Sequence, residues 1–417
     1  MRVASKKSFF AGCRRFILRP LSTTFFASLA IVCLLVGAMS SCSNPKTQTA
    51  EQSPAFVSDD ASEKDYFPDK VEIKHAKGFT VSYFKHYKVV QVINPFEKTA
   101  DTARYILVQR GMPKPTHYPG AQVIEVPIRT MIGGSSAHIA LTDFLQSNQV
   151  LIGLGSFDYI SSPEVLKMIE EKKLTEVGNG QSINQEIVLS LAPDLLMMIG
   201  RTDSKFTANP LLTAAGIGVV TNSEWQENTP LGRAEWVKLM AVFLNKEALV
   251  NQKFAEVERK YQEMAQLTKN VSHRPKVFNG MAFKGTWHVA GGKGYMSVFL
   301  KDAGAVHPWV TDSSTGSLQL DFESVYAVAM DADFWINPSN AKTTQDILTN
   351  DSRNADFKAF KTGKVFNNNK RLNERGSNDY WESGMVSPHI VLADLIKIFH
   401  PELLPQHELV YYRQVTP

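Results

Sequence analysis

Few residue patterns in this chain of 417 residues are typical of an enzyme. It lacks Gly-x-Ser-x-Gly, a phosphate loop ending in Gly-Lys-Ser/Thr, and His-Glu-x-x-His, which mark hydrolases, nucleotide enzymes and metalloproteases. The glycine-rich run 291–294 follows no clear strand, so it indicates a turn more than a phosphate cradle. Ten histidines are scattered, with no pair at i, i+4 on a recognisable helix. A metal site assembled across the fold stays open, because ligands need not be adjacent in sequence.

Aromatic, hydroxyl and arginine side chains instead concentrate at the ends of predicted strands, where a cleft at a sheet edge would lie. Large flat rings bury much ligand area with few rotatable bonds, and arginine fixes anionic groups. Each tryptophan taken alone could equally be a core residue. The side chains that we expect to bind a ligand are Arg129, Ser135, Ser136, Phe157, Tyr159, Arg201, Trp225, Trp287, His288, Tyr295, Trp309, Tyr380 and Trp381.

Short apolar runs bounded by glycine, proline and polar residues predict the strands that position these side chains. Such runs suit a parallel sheet that is covered on both faces. We therefore assign 71–228 to a first α/β lobe. Its predicted strands are Val89 to Ile93, Tyr105 to Gln109, Val123 to Val126, Val150 to Gly153, Leu195 to Ile199 and Gly218 to Val220.

A long helical segment, 229–270, follows without a strand signal. Thr229 and Pro230 supply an N-cap hydroxyl and a proline at the first helical position. Apolar residues then recur at gaps of three and four, apart from a break at Asn245 and Lys246. If continuous, the central part of the segment would be on the order of 55 Å long at 1.5 Å per residue. That length is enough to run along two lobes.

The remainder, 271–417, again alternates strands with helices and forms the second α/β lobe. The sequence therefore predicts an α/β protein in which two Rossmann-like lobes are joined by a single long rigid helix, with the ligand cleft between the lobes. The predicted strands of this lobe are Lys276 to Asn279, Phe334 to Ile336 and Val365 to Asn367, and its clearest helices are Tyr295 to Ala303 and Ile390 to Phe399.

The N-terminus has the pattern of an export signal. A basic stretch precedes an apolar run, 25–39, that is short for a membrane span, and small residues then lead to Cys42. The segment 1–41 resembles a bacterial lipoprotein signal, which makes Cys42 the lipidated residue; a plain N-terminal anchor helix is the alternative. The polar stretch that follows predicts a flexible tether, 42–70. Cys13 and Cys33 lie in the leader, so cleavage leaves Cys42 alone and no disulfide.

Charge supports an exported globular protein without a nucleic-acid partner. The chain is 43% hydrophobic and 21% charged, which is typical of a folded globule. Its net charge of +4 comes from the leader, because six of the 45 basic residues and none of the 41 acidic ones lie in 1–41. The rest has 39 basic and 41 acidic residues, a net charge of −2, which does not favour binding to a polyanion.

Several ordered signatures give the chain a family resemblance from about Val89 to Tyr412. It resembles the substrate-binding lipoproteins of bacterial ABC importers for ferric siderophores, haem and vitamin B12. Each signature is weak alone, but their order and spacing together are fairly specific. They are Asn184-Gln185-Glu186-Ile187 with Leu191-Ala192-Pro193-Asp194-Leu195; Pro230 to Trp236; Asp302-Ala303-Gly304-Ala305; Leu320-Asp321-Phe322-Glu323 with Asp331-Ala332-Asp333; and Asp379-Tyr380-Trp381 with Leu392-Ala393-Asp394-Leu395.

The resemblance implies a monomeric, lipid-anchored binding protein, not an enzyme, that faces the periplasm or the cell exterior. Such a protein needs no cofactor; it holds a metal chelate between its lobes and hands it to a permease dimer with its ATPase. The family pattern places one permease-docking glutamate on each lobe, at Glu186 and Glu323. Each of these residues also opens a predicted helix, where a carboxylate is favourable in any case.

An iron complex, either a siderophore or haem, is the leading ligand hypothesis, and a corrinoid is next. Candidates for an axial ligand to haem iron are His288, His307, Tyr295 and Tyr380. Two other classes stay open. A receptor for a bare metal ion would need three or four His or carboxylate side chains converging in the cleft. An enzyme on the same scaffold, for example a chelatase, would need a buried general acid and base there.

Overall fold

A computed structural model describes residues 64–93, 102–178, 183–200 and 210–417. The predicted signal peptide 1–41, Cys42, Arg201 and the tether up to residue 63 lie outside these residues. The described end of the tether packs on the body, because Phe67 is 3% exposed and its ring lies 4.3 Å from the ammonium group of Lys88. The tether prediction therefore extended too far toward the body.

The first lobe begins with a four-stranded sheet in the order β1-β2-β3-β4. Its strands β1, β2 and β3 are antiparallel, and only β3 and β4 are parallel. The expectation of parallel strands was wrong here, since the three residues between β1 and β2 are too few for a parallel crossover. The strands are β1 (Phe79–Tyr83), β2 (Tyr87–Ile93), β3 (Thr102–Gln109) and β4 (Gln122–Val126).

A second sheet of the first lobe is wholly parallel, in the order β7-β6-β5-β8-β9. From β5 the chain adds strands on one side and then on the other, so β5 lies at the point where the strand order reverses. Ligands bind at the carboxyl ends of strands at such a point. The elements are β5 (Met131–Gly133), α1 (Ser136–Phe144), β6 (Leu151–Leu154), α2 (Pro163–Glu170), β7 (Thr175–Glu176), α3 (Gln185–Leu191), β8 (Leu195–Ile199), α4 (Pro210–Ala214) and β9 (Gly218–Asn222).

The connecting segment is three helices instead of one: α5 (Pro230–Ala234), α6 (Val237–Leu244) and α7 (Glu247–Leu267). Asn245 ends α6 in the left-handed conformation, with a φ of 51°, and turns the chain into α7. Helix α7 has 21 residues and is about 30 Å long. The break that the sequence shows at Asn245 is thus a real end of a helix, and the continuous helix of 55 Å was wrong.

The second lobe also has two sheets. A mainly parallel sheet has the order β10-β14-β15-β16, with β16 antiparallel, and the sequence missed a small antiparallel sheet of order β11-β12-β13. The strands are β10 (Val277–Asn279), β11 (Ala282–Phe283), β12 (Thr286–Ala290), β13 (Ser317–Leu320), β14 (Phe334–Ile336), β15 (Val365–Asn367) and β16 (Arg413–Gln414). The helices are α8 (Tyr295–Asp302), α9 (Phe322–Ala329), α10 (Thr344–Asn350), α11 (Lys358–Lys361), α12 (Ser383–Val386) and α13 (Pro388–Phe399).

One hydrophobic core runs from the first lobe through the connecting helices into the second lobe, and α13 packs against α7. A separate aromatic cluster fills the outer part of the second lobe around Phe278 and Trp335. The two-lobed α/β class predicted from the sequence is confirmed. Within the described ranges, no helix is both long enough and apolar enough to span a membrane.

Candidate ligand-binding site

A cavity of about 440 Å³ opens at the carboxyl ends of β5, β8 and β9, where the strand order reverses. Most of its walls come from the first lobe and from α5, and one wall comes from the second lobe. The cavity is lined by Ser135, Ser136, Ala137, Ile199, Gly200, Glu224, Trp225, Arg233 and Trp381.

The floor of the cavity is the turn between β5 and α1. Ser135 caps α1, and its hydroxyl accepts a hydrogen bond from the Ala137 amide at 3.2 Å. Gly134 is needed at this turn, because a Cβ atom there would lie 2.9 Å from the carbonyl oxygen of Met197 on β8. The close approach of the two strand ends brings the helix start and its backbone amides to the cavity. Such a helix start favours negative charge.

Two tryptophans from different lobes form the apolar walls. Trp225 follows β9 and is 40% exposed; its indole N–H donates to the carbonyl of Gly200 at 2.9 Å, which fixes the ring. Trp381 is 50% exposed and reaches the cavity from the second lobe. The ring of Tyr380 packs against it edge-on, with the centroids 4.8 Å apart. Exposed indoles of this kind offer flat surfaces to a ligand.

Arg233 supplies positive charge to the cavity. Thr229 caps α5, with its hydroxyl accepting from the Gly232 amide at 3.0 Å, and so places Arg233 in the first turns of the helix. The guanidinium lies 3.4 Å from the carboxylate of Glu224, whose side chain is 5% exposed. Its Nε atom is buried and has no hydrogen-bond partner among the described residues. Arg233 belongs to the family signature Pro230 to Trp236 but was not among the residues expected to bind a ligand.

Aromatic rings of the second lobe pack near this guanidinium. Its central carbon lies 5.4 Å from the ring centroid of Tyr295 and 6.0 Å from that of Trp381. Burial raises the pKa of Tyr295 in spite of the neighbouring Arg233, so the phenol stays neutral at physiological pH. A neutral phenol and a guanidinium with an unused donor can together bind an anionic group.

The structure thus brings four of the predicted residues into one cavity, namely Ser135, Ser136, Trp225 and Trp381, and it places Tyr295 and Tyr380 directly behind them. Phe157 and Tyr159 lie on the loop after β6, outside the cavity lining. The Phe157 carbonyl accepts from Arg375 of the second lobe at 3.4 Å, and Tyr159 is 60% exposed.

The other predicted residues lie elsewhere in the structure. Trp287 has no exposed surface; it packs in the second-lobe core and donates to the Asn279 carbonyl, so its assignment to the ligand site was wrong. Arg129 was also wrong, because it precedes β5 and therefore lies at the amino end of the sheet, where its amide donates to Asp194.

His288 is exposed on β12, and Trp309 packs partly against the second-lobe aromatic cluster; neither lines the cavity. His307 is 3% exposed, and burial lowers its pKa to about 4. Across the described ranges, no three His, Cys, Asp or Glu side chains group so that they could hold a metal ion.

The two glutamates predicted to dock on a permease are exposed at helix starts. Glu186 is the second residue of α3, and Asn184 caps that helix. Glu323 is the second residue of α9, and its carboxylate lies 2.7 Å from Arg353, which also pairs with Asp351. An arginine of this chain therefore already contacts Glu323.

Comparison with known proteins identifies the class. Residues 145–372 match the model of a family described as periplasmic binding protein. The chain belongs to this family. The resemblance drawn from the sequence signatures is confirmed, and with it the assignment to substrate-binding proteins.

This periplasmic binding protein is also similar to proteins of an archaeon. An uncharacterized lipoprotein of Methanocaldococcus jannaschii is 27% identical over 403 residues, covering 90% of this chain and 92% of that protein. A second uncharacterized lipoprotein of the same organism is 25% identical over 324 residues, covering 75% of this chain and 80% of that protein.

Solved structures show the same fold. A periplasmic binding protein from Veillonella parvula has a TM-score of 0.53 at 14% identity, covering 75% of this chain and 98% of that one. A possible iron-binding, periplasmic solute-binding protein from Staphylococcus epidermidis has a TM-score of 0.52 at 14% identity, covering 66% of this chain and 99% of that one. At these identities the likeness concerns the arrangement of the chain and not the ligand.

Proposed function

We propose that this periplasmic binding protein captures a metal chelate, an iron–siderophore or haem complex, and delivers it to the permease of an ABC importer. One observation carries the proposal. One cavity is lined both by Arg233, whose buried Nε has no described hydrogen-bond partner, and by indole rings from two lobes. That combination suits a ligand that is both flat or bulky and anionic. The protein would then bind the chelate as cargo and use no cofactor of its own.

The cavity tryptophans provide the test. We would titrate the full-length protein in detergent with haemin, a ferric catecholate siderophore, a ferric hydroxamate siderophore and cyanocobalamin, and record tryptophan fluorescence. Haemin or a ferric siderophore should quench the emission saturably. Binding of cyanocobalamin alone would replace the iron proposal with the corrinoid alternative, and conversion of a chelate during the titration would favour an enzyme.

Matched variants show where the ligand binds. Trp225→Phe and Trp381→Phe should each remove part of the quenching, because both rings line the cavity. Trp309→Phe serves as the control, since Trp309 packs partly on the second-lobe core outside the cavity lining. Unchanged quenching in both cavity variants, together with a loss in the Trp309 variant, would place the ligand elsewhere and contradict the proposal.

The same proposal assigns a membrane anchor to Cys42 and permease docking to Glu186 and Glu323. The two relatives named as lipoproteins support the anchor. Cys42→Ser should release the protein from membranes on cell fractionation. Reversing both glutamates to lysine should abolish uptake but leave the affinity for the chelate unchanged, because both side chains are exposed and neither lines the cavity. Loss of chelate binding would instead show a structural role.

A further inference from the structure

The two lobes meet in a polar seam beside the ligand cavity. On the first lobe the seam is the loop 157–162, between β6 and α2. On the second lobe it is the segment 373–382, which ends directly after Trp381. Asn373 donates to the Ile160 carbonyl at 2.6 Å, and the hydroxyls of Ser161 and Ser377 lie 3.1 Å apart.

Glu382 makes a charged contact in this seam, beside that of Arg375 with the Phe157 carbonyl. Its two carboxyl oxygens accept separate backbone amides of the first lobe, from Ser161 at 2.9 Å and from Ser162 at 2.7 Å. Glu382 is 2% exposed, and Ser162 is the N-cap of α2. A side chain of one lobe therefore completes the start of a helix in the other, and that side chain is adjacent in sequence to the tryptophan that forms one cavity wall.

No basic side chain is shown in contact with the Glu382 carboxyl within the described ranges. Its surroundings are instead acidic. Asp379 and Asp143 both act to raise the pKa of Glu382, after the larger effect of burial, and the pKa rises to about 8 even though the two amide bonds oppose this. The titratable side chains on the elements packed around it are Asp379, which itself pairs with Arg371 at 2.9 Å, and Tyr380 on its own turn, His138 and Asp143 on α1, Glu164, Lys167 and Glu170 on α2, Arg233 on α5, and His389, Asp394 and Lys397 on α13.

We infer that Glu382 is a positioning residue of the binding site: it ties the second lobe to the Ser161 and Ser162 amides and holds Trp381 at the cavity. The closed seam is most stable when this carboxyl is neutral, because burial of its charge costs more than the two amide bonds to the ionised form contribute. Separation of the lobes would expose the carboxyl to water and allow it to ionise. Opening of the seam therefore releases a proton, and closing takes one up. The effect of Glu382 on ligand capture rests on the proposed function, whereas its effect on the opening of the seam does not.

The sign of the pH effect follows from the shift. The closed seam holds the proton up to a pH of about 8, and an exposed glutamate loses it near 4.3. Between these values the open state binds fewer protons than the closed state, so a rise in pH favours opening by up to about tenfold per pH unit. Below that window the closed seam has its greatest stability, and above it that stability no longer changes with pH.

Amide hydrogen exchange on the ligand-free, full-length protein tests the inference. Protection factors of the Ser161 and Ser162 amides, corrected for the intrinsic rate at each pH, should fall as the pH rises from about 5 to 8 and then stay constant. The Gly134 amide, which donates to Met197 within the first lobe, is the internal control and should show no such window. Protection of Ser161 and Ser162 that does not change with pH would overturn the inference.

Three variants separate this role from a merely structural one. Glu382→Gln keeps one acceptor oxygen and cannot ionise, so its protection should be lower than the wild-type maximum and independent of pH. Glu382→Ala should show low protection at every pH. Asp143→Asn removes a neighbouring negative charge, so the wild-type profile should move to lower pH. A pH window that persists in Glu382→Gln would assign the titration to another group and would contradict the inference.

Binding of haemin then separates the two proposals. The affinity should decline over the same pH window in the wild type and stay flat in Glu382→Gln. If the amides titrate as expected while none of the four chelates binds at any pH, the proposed function fails and the seam inference stands. If haemin binds while the protection of the two amides does not change with pH, the seam inference fails and the proposed function stands.

Discussion

At the scale of single residues, the cavity depends on the unequal use of the donors of Arg233. A terminal nitrogen of the guanidinium lies 3.4 Å from Glu224, whereas the buried Nε has no described hydrogen-bond partner. Buried donors without a partner are rare in folded proteins, and each calls for an explanation. The guanidinium also lines the cavity, so a carboxylate or catecholate oxygen of a bound ligand would pair with it there while Glu224 keeps its own contact.

Removal of Arg233 should therefore weaken the binding of some ligands more than that of others. We predict that Arg233→Met weakens haemin binding by roughly 10- to 100-fold, the value of a buried hydrogen bond to a charged group, with cyanocobalamin affected far less. Fluorescence titration measures both. Arg129→Met is the matched control, because it removes the same charge at the amino end of the sheet and should leave both affinities unchanged. Equal losses for the two ligands in Arg233→Met would indicate a general disruption of the cavity.

The sequence identified the cavity residues on loops more reliably than those on helices and in sheets. Ser135, Ser136, Trp225 and Trp381 follow strands or lie in turns, where an exposed polar or aromatic side chain has few structural reasons to be present. Trp287 lies in strand β12, whose side chains alternate between the core and the solvent. Its place in that alternation buries it, and the residue type alone did not show this. Arg129 was misplaced because a short strand, β5, was not recognised, so the two ends of that strand could not be told apart.

At the scale of elements, the break between α6 and α7 is held by a buried ion pair. Lys88 on β2 is fully buried, and its ammonium group donates to the Val242 carbonyl at 2.7 Å, to Asn245 at 2.8 Å and to Glu247 at 2.5 Å. One lysine thus donates to a carbonyl in the last turn of α6, to the residue at the break and to a side chain in the first turn of α7. Strand β2 is thereby fixed to the point where the connecting segment changes direction.

Loss of this lysine should be costly. Lys88→Met leaves the Glu247 carboxylate buried without its partner, so we expect the free energy of unfolding to fall by about 3–5 kcal/mol. Urea unfolding followed by circular dichroism gives the value. The double variant Lys88→Met, Glu247→Leu should recover most of the loss, since an apolar pair of similar volume avoids the unpaired charge. A single variant that loses less than about 1 kcal/mol, as for an exposed pair, would show that the pair is not buried in solution.

Two further carboxylates explain the family signature around Trp236. Glu235 accepts the backbone amides of Lys74, His75 and Ala76, and Glu227 accepts those of 77 and 78. They fix the segment that enters β1 onto the start of the connecting helices. The sequence showed this stretch as a helical signature, but the amides that it binds are about 150 residues away, and no local pattern reveals such a contact.

At the scale of the whole molecule, the periodicity of apolar residues predicted the fold class but did not predict which strands pair. Alternating short apolar runs and helical stretches predicted the two α/β lobes, because a strand that is buried on both faces of a sheet has a nearly continuous apolar sequence. The order of strands within a sheet depends on contacts between distant segments. The antiparallel sheet of β11, β12 and β13 was missed for a related reason, since its strands are short and partly exposed and carry little apolar signal.

The shared core sets a limit on how far the lobes can move. Helix α7 packs along α13, and one continuous hydrophobic cluster joins both lobes through the connecting helices. A hinge motion would expose part of that cluster to water at roughly 25 cal/mol for each Å² of apolar surface. The break at Asn245 does not loosen the joint, because Lys88 binds on both sides of it. The broken connection should therefore be as stiff as the single helix that the sequence predicted.

We accordingly predict only a modest closure when a chelate binds. Small-angle X-ray scattering of the fragment 43–417, with and without saturating haemin, should give radii of gyration that differ by less than about 1 Å, because the backbone moves by no more than about that distance in pre-organised complexes. Hinged binding proteins close around their ligands through larger domain motions. A clear compaction on binding would show that the seam at Glu382 and the α7–α13 contact both separate in the free protein, and the cavity described above would then be that of the closed state.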